Sequence, residues 1–243
     1  MFALTLLIGN AQAQRFRWPE NPENLQVLGD DVKGARLGGI MRGFTTALGV
    51  RCEYCHVGEG ANLANFDFVS DDKITKRKAR VMIQMVEDLN NKYIAELTAI
   101  ESTPTPRTIV TCITCHRTQN KPIMLENLLQ AIIESDGVDA AIQKYHELRD
   151  DNYGGFAYNF GSATLTGLGE DLGREDNFSA AISILRLEIE MNGESPSIYY
   201  TIGGVQASAQ MTVDAIESFE KGLAMAPDDW RPFFQEELDK LRD

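Results

Sequence analysis

The chain has 243 residues, 43% hydrophobic and 24% charged, with a formal net charge of −13. That composition suits a soluble globular protein of one large or two ordinary domains. No stretch approaches the roughly 18 apolar residues that a membrane span needs, and no nucleic-acid partner is expected.

The N-terminal MFALTLLIGNAQAQ joins a short apolar run, Phe2 to Ile8, to Ala-Gln-Ala, the small-residue pattern of a signal-peptidase site. Residues 1–13 are therefore expected to be a signal peptide, truncated because the basic n-region is missing, and the mature protein to be exported. Residues 14 to 30 carry two prolines and several turn formers and read as an extended lead-in. Asp30 or Asp31 is then expected to cap a helix on which Leu37, Ile40, Met41, Phe44 and Leu48 recur at helical spacing, ending at Gly49. Gly34, Gly38, Gly39 and Gly43 weaken that helix, each by up to ~1 kcal/mol against alanine, a cost that close approach of a flat macrocycle would explain.

Next comes Cys52-Glu53-Tyr54-Cys55-His56, and later Cys112-Ile113-Thr114-Cys115-His116. C-x-x-C-H is the attachment pattern of c-type haem, with two thiols for the vinyl groups and an adjacent imidazole for the iron. The two runs use all four cysteines and two of the three histidines in the chain. Structural zinc is the main competitor, but four-thiolate sites usually separate their pairs by about 15 to 20 residues, whereas 56 lie between Cys55 and Cys112.

Between the motifs, a helix capped by Asp71 or Asp72 is expected to carry an apolar stripe of Met82, Met85, Val86, Leu89, Tyr93 and Leu97. Its basic first turns, Lys73, Lys76, Arg77, Lys78 and Arg80, fit either a solvated face or partners for haem propionates. The order of methionine-bearing helix, turn and C-x-x-C-H thus occurs twice. Methionine is a common sixth ligand in cytochromes c. Met41 is the candidate at the first iron, and Met82 or Met85 at the second, while His146 lies far along the chain and reads as a core or surface histidine.

From Ile123 the chain changes character. Residues 1–122 carry a net +2 and residues 123–243 a net −15. Two segments align at a 34-residue offset, Leu165 with Tyr199, Leu168 with Ile202, Gly169 with Gly203, Ala181 with Ala215, Leu185 with Phe219, which is the period of tetratricopeptide repeats. A degenerate third copy, about 123 to 150, places Leu128, Ala141 and Ile142 in the corresponding roles, and residues 230 to 243 read as a capping helix.

The runs NLQVLGD, MRGFTTALGVRCEYCHVG, SDDKITKRKARVMIQMVEDLNNKY and TCITCHRTQNKP resemble the cytochrome c subunit of photosynthetic reaction centres over roughly residues 24 to 122. The resemblance implies Met41 with His56 on one iron and Met82 with His116 on the other. Photosynthetic members carry four haems whereas this chain has two motifs, and the repeat half is no part of that subunit, so photosynthesis does not follow.

The expectation is an all-α protein: a dihaem cytochrome c domain over 14–122 and a tetratricopeptide-like domain over 123–243. It would carry single electrons in two covalently bound haem c groups between redox protein partners, basic proteins or other copies of itself among them. A dihaem peroxidase-like enzyme and a repeat scaffold with secondary haem are the alternatives.

Overall fold

The computed structural model describes residues 16–100 and 108–242. The expected signal peptide and most of the STPTPRT loop lie outside the described residues. The chain is all-α and divides into two compact units, meeting in sequence between Pro122 and Ile123.

In the first unit α1 spans Gly34–Leu48. Its start is not capped by an aspartate side chain: Lys33 occupies the cap position, and Asp31 pairs with Arg36 instead. Gly49 ends the helix in the left-handed region at φ 64°, returning its N–H to the Thr45 carbonyl. A side chain there would also collide with the Thr118 carbonyl, and the Thr118 N–H reaches the Ala47 carbonyl at 3.0 Å. This close approach docks the end of α1 beside the second C-x-x-C-H run. Two of the other glycines of α1 meet neighbours before the helix. Gly34 makes room for Glu20 and Gly38 for the Trp18 indole, while Gly39 and Gly43 have open space around them.

Helix α2, Ile74–Asp88, runs through a π-helical turn, Leu89–Ile94, into α3, Ala95–Ile100. Neither Asp71 nor Asp72 caps it. Nor is its stripe buried: Met82 is 36%, Met85 40%, Tyr93 51% and Leu97 58% exposed, and Lys76 is the buried residue of α2. The reason is that α2 packs its polar side on the loop before it. The apolar side chains buried among the described residues of this unit are Val32, Leu37, Ala47 and Phe66. Helix α4, Cys112–His116, completes the unit.

The second unit is a stack of seven helices: α5 Leu125–Asp136, α6 Val138–Asn152, α7 Ser162–Arg174, α8 Phe178–Asn192, α9 Pro196–Ser208, α10 Thr212–Met225 and α11 Arg231–Arg242. Successive helices pair, and small residues set their separation. Gly169 on α7 faces Leu185 on α8, and at the 34-residue offset Gly203 on α9 faces Phe219 on α10; a Cβ on Gly203 would sit 2.7 Å from the Phe219 ring. The first pair departs from that period. Nine residues, Tyr153 to Gly161, join α6 to α7, whereas three, Gly193 to Ser195, join α8 to α9. The offset there is consequently 40, which aligns Leu125 with Leu165, Leu128 with Leu168 and Ala141 with Ala181; Leu125, Leu129 and Ala141 are buried, Leu128 is half-buried, and Tyr145 takes the place of Leu185. Phe234 and Leu238 bury α11 as the terminal cap. Because the α9–α10 seam admits no side chain at its crossing, Gly203→Val is expected to cost about 3 kcal/mol by overpacking. Thermal unfolding of the second unit followed by circular dichroism measures it.

Candidate haem-binding site

The first motif opens as a 3-10 turn, Cys52–Tyr54, and the His56 N–H closes it on the Cys52 carbonyl at 2.9 Å. The Thr75 hydroxyl at the start of α2 donates to the Tyr54 carbonyl, fixing that turn to the helix. The following loop returns through an antiparallel bridge between Val57 and Asp67. The Asp67 carboxylate accepts the Val69 and Ser70 N–H groups, both at 2.9 Å, which holds its pKa below the usual carboxylate value.

One buried cation ties this loop to α2. The Lys76 ammonium donates to the carbonyls of Phe68 at 2.9 Å, Val69 at 3.2 Å and Ser70 at 2.7 Å, and lies 3.1 Å from Asp71. Asp71 also receives a two-pronged contact from Arg80, both arms at 2.8 Å, and the Asn24 amide at 2.9 Å. Arg80 first, then Lys76 and Asn24, hold its carboxyl well below the usual range. Lys76 and Arg80, two of the basic residues of α2, thus hold the loop.

His56 presents its ring edge-on to Phe68, centroids 5.0 Å apart. Its Nδ1 is buried with no hydrogen-bond partner, which is costly unless the ring has another use. Burial, with Lys76 and Arg80 adding to it, lowers its pKa to about 4. At neutral pH the imidazole is therefore uncharged and has a lone pair to offer a metal.

The second motif is held from two sides. Thr118 fixes its end to α1, as described above. At its start Asn90, on the π-helical turn, pairs with Val110 as a strand neighbour would: its Nδ2 donates to the Val110 carbonyl at 2.7 Å and its Oδ1 accepts the Val110 N–H at 2.9 Å. Rare π turns recur at functional sites, and this one sets the distance from α2 to the second cysteine pair. His116 is buried, and its Nδ1–H donates to the Gln119 carbonyl at 2.8 Å, leaving Nε2 as the lone-pair nitrogen.

Both motifs open on one mainly apolar cavity of about 850 Å³. Cys52, Cys55, His56, Cys112 and His116 line it together with Met41 and Met82. That volume is at the upper end of the ~300–1,000 Å³ of ligand sites. Cys115 is exposed and, like Met85, does not line the cavity. Burial raises the thiol pKa of Cys55 and Cys112. Apolar walls, thiols, two imidazoles and thioethers are the donor set that a covalently held iron macrocycle needs, so the residues present fit that group. His146 is on α6, in the second unit.

The sequence did not point to the Asp71–Lys76–Arg80 clamp or to Asn90. Asp71 was visible only as a residue type suited to a helix cap, and nothing local marks Asn90 as a partner for Val110.

Residues 12–135, half of the chain, match the model of the photosynthetic reaction centre cytochrome C subunit family. Cytochrome c-554 of Chloroflexus aurantiacus is 34% identical over 128 residues, which cover 52% of this chain and 27% of that protein. The photosynthetic reaction center cytochrome c subunit of Rubrivivax gelatinosus is 36% identical over 101 residues, covering 38% of this chain and 26% of that one. A solved structure, the first TPR of Spaghetti (RPAP3) bound to an HSP90 peptide, aligns with a TM-score of 0.33 and 19% identity over 49% of this chain and 87% of its own. The matched family and these relatives are c-type cytochromes, a class that binds haem c covalently. The chain belongs to the photosynthetic reaction centre cytochrome C subunit family. Its aligned part spans about a quarter of the length of these curated relatives.

Proposed function

We propose that this protein is an exported electron carrier holding two haem c groups, and that it has no catalytic reaction of its own. Cys52 and Cys55 attach the first and Cys112 and Cys115 the second. His56 and His116 ligate the two irons, with Met41 and Met82 as sixth ligands. The observation that carries this is the shared cavity, onto which both motifs and both of those methionines open while Met85 does not. When bound, haem supplies reversible one-electron chemistry; the chain attaches it, supplies ligands and limits water around it. No helix among the described residues is long and apolar enough to cross a membrane. The test is to mature the full chain in a haem-attaching host and count haem by pyridine haemochrome. Two haems per chain that resist acid-acetone extraction are expected, and release of the haem would refute attachment.

Residues 14–122 form the haem domain in this proposal, and residues 123–243 a repeat domain for docking. The support for the latter is its net −15 and its stacked helical repeats, an architecture suited to docking, with a cleft of about 330 Å³ between α7 and α9 lined by Glu170, Arg174, Tyr200 and Thr201. A basic redox protein, or a basic patch on another copy, is the fitting partner. Electron transfer to such a protein should slow as salt rises, because exposed charges are screened over about 8 Å at physiological ionic strength. Stopped-flow rates across a salt series measure the slope, and a flat response would remove the docking role.

A further inference from the structure

Building on the two-haem proposal, we propose that the motifs hold their haems at unequal potentials, the first above the second, because His56 and His116 differ in what Nδ1 meets. An Nδ1–H that donates to a carbonyl gives its imidazole partial imidazolate character and strengthens it as a ligand, which favours ferric iron. His116 has that arrangement, with the Gln119 carbonyl at 2.8 Å. His56 does not: its Nδ1 is buried without an acceptor, and the Phe68 ring stands beside it. A weaker donor in an apolar setting penalises the extra positive charge of ferric iron and so favours the reduced state.

The nearby charges do not reverse this order. Lys76 and Arg80 act on His56 as cations, Asp67 opposes them, and Asp71 is paired with both cations, so two positive and two negative groups cancel to first order. Solvent contact acts in the same direction as the hydrogen bonds. Cys115 in the second motif is exposed, whereas Cys52 and Cys55 are both partly buried. In the singly reduced protein the electron therefore rests at the first motif.

The experiment is an optical redox titration of the matured full chain, after a pyridine haemochrome count. Two resolved waves are expected. The C112S/C115S chain, which keeps the first haem alone, should titrate with the upper wave. Phe68→Asn, which brings an amide oxygen towards His56, should move the upper wave down and leave the lower one in place. Should the double variant fail to fold, the Phe68→Asn shift decides the assignment alone. The inference is overturned by coincident waves, by a first haem that follows the lower wave, or by an upper wave that Phe68→Asn leaves unmoved. A count below two haems is a different failure, since it rejects the two-haem proposal itself.

Discussion

Met82→Ala is expected to strip the methionine ligand from the second iron alone and to open that iron to carbon monoxide, while Met85→Ala leaves both irons six-coordinate. The two side chains are one helical turn apart on α2 and similarly exposed, so helical spacing does not separate them. Position relative to the cavity does: Met82 lines the same space as His116, and Met85 lies outside it. Thioether ligation raises the potential, so Met82→Ala should lower one wave of the redox titration and remove about half of the far-red methionine-to-iron absorption, with Met41→Ala doing the same at the other haem. If Met85→Ala has the larger effect, the ligand lies one turn further along α2.

The second large effect is expected from a residue that carries no redox chemistry. Lys76→Met should lower the unfolding free energy of the haem unit by about 3 kcal/mol, since several partly buried carbonyls lose a charged donor and gain none. Asp71 and Arg80 would keep their pairing, but the loop from Phe68 to Ser70 would lose its tie to α2. Denaturant unfolding followed at the haem absorption band reads this unit separately from the repeats. The same clamp predicts an acid limb. Because the folded pKa of Asp71 is depressed, its contribution is full above the unfolded carboxylate value of about 3.9 and is lost as pH falls towards the folded value. Unfolding against pH should show a loss of stability below pH ~4 in the wild type that Asp71→Asn lacks, the variant being weaker at neutral pH from the outset.

Much of this site was legible because haem attachment uses a short contiguous pattern. Four cysteines divided between two C-x-x-C-H runs need no tertiary information, and the 3.6-residue period placed Met41 and Met82 on helices. What escaped was whatever depends on groups distant in sequence. Asp71 was read as a cap because caps are local, yet its carboxylate turns to Arg80, nine residues on, and Asn24, 47 residues back. Periodicity marked an apolar stripe on α2 but reports which side chains share a face and not what that face meets, so the exposure of Met85, Tyr93 and Leu97 was not legible. In the repeats, the longer connection between α6 and α7 shifts the first pair to an offset of 40, and the side chains it buries most deeply there are Leu125 and Leu129, on either side of Leu128.

The π-helical turn at Leu89–Ile94 also has a consequence for how this helix tolerates length changes. A π turn accommodates one residue beyond the regular α repeat, and one residue corresponds to ~100° of rotation about the axis. Deleting Asn91 should let α2 and α3 fuse into uninterrupted α-helix, turning Tyr93 and Leu97 by that angle relative to Met82 and drawing Asn90 away from Val110. The single surplus residue therefore works as a phase setting. It lets one rod address two different surroundings, and a chain shortened there would keep every proposed ligand while shifting the second cysteine pair relative to Met82.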